Sequence, residues 1–130
     1  MRCFAVSLLL VVSLSACATP REPPASECPR HELAFSRETG CQNDGAVEFC
    51  LPKGNDALLA RVKAIAPKVH AGASRGRAGC DTSQETLYFF PTEATECVSH
   101  HGALTPAAWD ALCRLAALPE VRAIVPTWYE

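Results

Sequence analysis

The reactive chemistry of this 130-residue chain rests on eight cysteines, four histidines and a few hydroxyls. Cys28-Pro-Arg-His31 and Cys97-Val-Ser-His100 share one spacing. Together they would supply four ligands of the type that hold zinc in a tetrahedron. A second group is Ser99-His100-His101, with Asp110 downstream. A serine nucleophile needs a base within hydrogen-bond reach and a third group to orient that base. Neighbours in a loop rarely point at one another, and no nucleophile-elbow glycine pattern is present. Solvated loop histidines are the plainer reading. Arg75 and Arg77 alternate with glycines whose amides could help cradle an anion, although a solvated loop is the plainer account. No catalytic set, cofactor motif or metal site is assigned on this basis, and the chain reads as a non-enzyme.

Cysteine use depends on the compartment, and the first residues speak to that. Arg2 is followed by an almost unbroken apolar run from Phe4 to Leu14. A run of about ten residues is too short to cross a bilayer core, which needs about 20. Small residues then follow, the pattern of a secretory leader. Leu14-Ser15-Ala16-Cys17 resembles the bacterial lipobox, an aliphatic residue and two small residues before an obligatory cysteine. The resemblance implies a diacylglyceryl group on the Cys17 sulfur, cleavage of residues 1–16 and acylation of the new amine. Ala18 stands where inner-membrane lipoproteins of enteric bacteria carry Asp, so the resemblance favours the outer membrane. Residues 17–27 then form the anchor and a Pro-rich tether, too poor in apolar residues to pack a core. An extended polyproline form would reach about 3.1 Å per residue.

Residues 28–130 are read as a single domain. Losing Arg2 with the leader takes the net charge from −2 to −3, and no basic run appears, so no nucleic-acid partner is expected. The cysteines left are Cys28, Cys41, Cys50, Cys80, Cys97 and Cys113. An even set in a small exported domain reads as three disulfides, with zinc as the alternative.

The elements follow from periodicity. Val47, Phe49 and Leu51 alternate with Ala46, Glu48 and Cys50, as in a strand with one buried face. Asn55 or Asp56 can cap a helix carrying Leu58, Val62 and Ile65, which Pro67 either ends or kinks, Val69 belonging to it only in the second case. A short strand is expected near 68–71, followed by a loose glycine-containing connection. Residues 85–90 form a strand closed by Pro91. Thr105-Pro106 opens a second helix with Trp109, Leu112, Cys113 and Ala116 on its apolar stripe. Val121–Val125 is the last strand. This βαββαβ order predicts an α+β, ferredoxin-like sandwich, or a three-stranded version without the second strand. In that topology the start of the first strand and the end of the third share an edge, which favours Cys41–Cys97 and disfavours Cys80–Cys97. The remaining pairings stay open.

Leu118-Pro119-Glu120-Val121-Arg122-Ala123-Ile124-Val125 resembles the end of propeptide-type inhibitors of subtilisin-like proteases. That resemblance implies a ferredoxin-like domain whose C-terminal tail occupies a partner's cleft. Trp128 and Tyr129 lie in the corresponding tail, and aromatics are enriched at binding hot spots; covering the edge of the sheet explains them equally well. The function expected is a lipid-anchored, non-catalytic interaction module of the cell envelope. The alternatives are a small hydrolase using Ser99-His100-His101 and a metal-binding domain using the two Cys-x-x-His pairs.

Overall fold

A computed structural model describes residues 28–42 and 45–127. Cys17, Trp128 and Tyr129, with the segments read as leader and tether, lie outside the described residues. The fold is mixed α and β, with one four-stranded antiparallel sheet, two helices and three disulfides. A 3-10 turn at Arg30–Glu32 precedes β1 (Gly45–Pro52), α1 (Asp56–Ile65), β2 (His70–Gly72), β3 (Glu85–Thr92), α2 (Pro106–Ala116) and β4 (Val125–Pro126). The sheet order is β2-β3-β1-β4.

Local chemistry sets the helix ends. The Asn55 side chain accepts from the Leu58 amide and caps α1. Thr105 accepts from Ala108, and Pro106 occupies the first helical position, where no amide proton is needed. Val47, Phe49 and Leu51 of β1 and Phe90 of β3 join Leu58 and Val62 of α1 and Trp109, Leu112 and Leu115 of α2 in one core.

The opposite sheet face was expected to meet solvent, and it does not. Glu48 is 1 % exposed there. The segment from Arg75 to Cys80 folds over this face, held by the Cys50–Cys80 disulfide. Its Ala78 amide donates to Glu48 Oε1 at 2.7 Å. The connection read as loose from sequence is therefore a cover for the sheet.

Three strand limits also differ from expectation. The second strand lies at His70–Gly72 rather than 68–71. Pro91 does not close β3, which continues to Thr92. The last strand is only Val125–Pro126, because the Ile124 backbone is engaged elsewhere: its amide donates to Glu32 and its carbonyl accepts from Ala34.

The register explains why prolines are tolerated here. The Thr127 amide donates to the Ala46 carbonyl. Even-numbered β1 residues therefore turn their backbone groups toward β4, and odd-numbered ones toward β3. Pro91 pairs with Ala46, Pro126 with Val47, and Pro52 with Glu85. At each position the missing N–H would have pointed away from the paired strand, at a level that no other strand pairing reaches. Of the three, only Pro126 stands on an edge strand, β4.

Candidate functional site

The segment leaving β3 builds the most distinctive surface feature. Cys97 and Leu104 form an isolated antiparallel bridge, and the Val98 amide donates to Ala103 at 2.8 Å. A turn closes between them, with the Gly102 amide donating to the Ser99 carbonyl at 2.9 Å. His101 takes φ +57° in this turn. That left-handed conformation costs an L-residue roughly 1–2 kcal/mol, so the surroundings must hold it. They do so through the Cys41–Cys97 disulfide, with Cα atoms 6.1 Å apart, and through bonds from Leu104 to Arg37 and from Cys41 to Gly102.

A cleft of about 410 Å³ opens beside this turn. The disulfide, Gly45 and Thr92 line it, with Val98 and the two imidazoles also on its wall. The His100 and His101 rings stack with centroids 3.8 Å apart. Val98 is 66 % exposed, and among the described residues it is the one large apolar side chain left open. Thr92 is buried, and its hydroxyl has no hydrogen-bond partner among the described residues.

Behind the turn, Lys68 Nζ donates to Glu96 Oε1 at 2.8 Å and Thr95 donates to Glu96 Oε2 at 2.7 Å. Burial pushes the Glu96 carboxyl up, but these hydrogen bonds and the Lys68 charge outweigh it and hold the carboxyl below the ordinary glutamate range. This ion pair helps fix the start of the loop that carries Cys97.

The sequence candidates fall into distinct places. Ser99, His100 and His101 share the turn, and Asp110 sits on α2. A methyl added at Gly102 would collide with Ser99 Oγ, so that hydroxyl folds over its own turn. The four-ligand set is not assembled: Cys28 is bonded to Cys113 and Cys97 to Cys41, so neither offers a thiolate. Among the described residues no group of three or more His, Cys, Asp or Glu could hold a metal ion. The anion cradle around Arg75 and Arg77 is also corrected. The Gly76 amide goes to Ser74, Ala78 to Glu48, Gly79 to Gly76 and Cys80 to Arg75. The loop does wrap an acidic group, and it is the protein's own Glu48.

Sequence reasoning missed the cleft, because its walls come from two stretches far apart in sequence, Cys41 and Gly45 on one side and Thr92 to His101 on the other. The one hint was the Cys41–Cys97 pairing, which brings the two together. No protein-family model, curated protein or solved structure matches the chain. Among the described residues no helix is long and apolar enough to cross a membrane.

Proposed function

We propose that the protein is a lipid-anchored interaction module of the cell envelope, with a ferredoxin-like domain stapled by three disulfides. The Leu14-Ser15-Ala16-Cys17 motif supports lipidation of Cys17, and Ala18 favours the outer membrane. The contact surface is the cleft at the Cys41–Cys97 disulfide, with Trp128 and Tyr129 as further contact residues. One observation carries this assignment: the sole open large apolar side chain among the described residues, Val98, lies on the wall of that cleft. Single exposed apolar residues are ordinary on protein surfaces. This one is held on a turn clamped by a disulfide, beside a concavity of ligand-binding size.

The test has two arms. Metabolic labelling with a fatty-acid analogue should mark the wild type and leave Cys17→Ser unmarked; equal labelling removes the anchor. A photo-crosslinking residue at position 98, in intact cells, should trap a defined protein. The same residue at Ala60, exposed on α1, should not. No adduct specific to position 98 would refute the interaction reading. Labelling of Ser99 by a serine-hydrolase probe would replace it with the hydrolase.

A further inference from the structure

The Cys41–Cys97 disulfide forms part of the cleft wall, together with the His100 and His101 imidazoles. Its two halves differ. Cys41 is 2 % exposed, whereas Cys97 is only partly buried. Thiol–disulfide exchange needs a thiolate to reach one of the two sulfurs, and access decides which. Cys97 is the reachable half, so Cys41 is the half that leaves. The Cys41 sulfur lies 3.9 Å from the Glu96 carbonyl oxygen, in a buried setting. A thiol is a weak donor, and once the bond opens this one has an acceptor in place.

We propose that this bond is a thiol-exchange site, attacked at Cys97 by a thiolate that enters the cleft. The proposal deepens the reading of the cleft as a contact surface, on which it rests, by naming the group that arrives there. The incoming thiol first gives its proton to the imidazole of His100 or His101, because the thiolate is the nucleophile. The thiolate sulfur then bonds to Cys97 Sγ as the bond to Cys41 breaks, and the electron pair of that bond goes to Cys41 Sγ. The imidazolium passes its proton to Cys41 Sγ, which also lines the cleft. One disulfide is broken and one is made, so the step needs no further oxidant or reductant. The products are a mixed disulfide on Cys97 and a thiol at Cys41. The broken bond is also one of the restraints on the turn that presents Val98 and holds His101 at φ +57°. Exchange therefore loosens the contact surface, while Cys28–Cys113 and Cys50–Cys80 keep the rest of the fold closed.

Reduced glutathione is the probe. The full chain is exposed to it without denaturant, alkylated with iodoacetamide and mapped by mass spectrometry. Glutathione should appear on Cys97 and the alkyl group on Cys41, several-fold faster than any change at the other two bonds. Equal or faster reaction at another bond overturns the proposal, and so does glutathione on Cys41. Replacing both histidines, His100→Gln with His101→Gln, should slow the exchange several-fold near neutral pH. That gap should close above the ordinary thiol pKa of about 8.5, where the probe ionises without a base. An unchanged neutral rate, or a deficit that persists at high pH, overturns the imidazole step.

Intact cells quenched with acid and then alkylated identify the source of the thiol. A small thiol adds its own mass to Cys97, whereas a protein thiol links Cys97 to a second chain through a bond lost on reduction. Cys97 bonded only to Cys41 in all such samples overturns exchange in the cell. The crosslinking experiment separates this proposal from the function it rests on. Exchange at Cys97 with no adduct at position 98 would uphold the thiol site and defeat the interaction module. An adduct at position 98 with no exchange at Cys97 would do the reverse.

Discussion

Thr127 donates its hydroxyl to Glu48 Oε2 at 2.6 Å, joining two residues 79 positions apart in sequence. The bond fastens the end of the chain to the middle of the central strand. The other oxygen of Glu48 is taken by the Ala78 amide. One buried carboxyl thus holds both the sheet cover and the last strand. Hydrogen bonds to charged groups contribute roughly 1.5–3 kcal/mol. Thr127→Val should lose about that much stability in urea unfolding, whereas Thr127→Ser should lose much less. Equal stability of wild type and Thr127→Val would mean that Glu48 is satisfied without the tail.

Gly76 offers an independent test of the same site. It sits at φ +61°, and a Cβ there would lie 2.5 Å from Glu48 Oε1. Gly76→Ala therefore combines backbone strain with displacement of a buried acceptor. It should destabilise by more than the roughly 1–2 kcal/mol of a simple left-handed glycine replacement. Gly54, also at positive φ, has open space around its Cβ direction and serves as the control. Similar losses at both sites would show that the Glu48 contact is unimportant.

Much of this frame was readable from sequence, and the unread parts share one cause. The alternation from Ala46 to Leu51, the Thr105-Pro106 cap and the Trp109 stripe depend on local periodicity and capping, and each is found where those rules place it. The structure also contains the Cys41–Cys97 bond, which follows once two strands are neighbours. Buried Glu48, the short last strand and the cleft depend on segments far away in sequence. Glu48 looks like a surface residue until residues 75–80 fold over it. Residues 121–123 look like a strand until Glu32 and Ala34 claim Ile124. Pro91 looks like a strand end because the rule concerns a missing N–H, and only the register reveals which way that N–H would have pointed.

The Lys68–Glu96 pair makes a pH-dependent prediction. A carboxyl held below its unfolded value stabilises the fold above that unfolded value, and the contribution disappears as pH falls through the folded value. The acid limb of the stability curve should therefore contain a Glu96 component. Glu96→Gln should be less stable than wild type near neutrality, and its loss on acidification should be smaller. Urea midpoints measured at neutral and acid pH give both numbers. Parallel acid limbs would show that the pair does not contribute.

The three disulfides span 85, 56 and 30 positions. Loop-closure entropy grows only logarithmically with length, so each is worth about 4 kcal/mol on that model. Paired Cys→Ser replacements should cost roughly 2–5 kcal/mol each, with no strong ranking by loop length. Chemical denaturation of the three double variants tests this. One variant losing almost nothing would show that its loop stays closed without the bond.

The three bonds are strictly nested: Cys28–Cys113 encloses Cys41–Cys97, which encloses Cys50–Cys80. A polypeptide emerges amino end first, so Cys28, Cys41 and Cys50 all appear before any native partner. The correct bonds can close only from the inside outward, as Cys80, Cys97 and then Cys113 arrive. An oxidant acting on the growing chain meets three early thiols whose mutual pairings are all wrong. Thiol–disulfide exchange can reopen such pairings, so the yield of native protein would depend on a shuffling catalyst more than on an oxidising one. Proteins whose cysteines pair with their nearest successors escape that dependence.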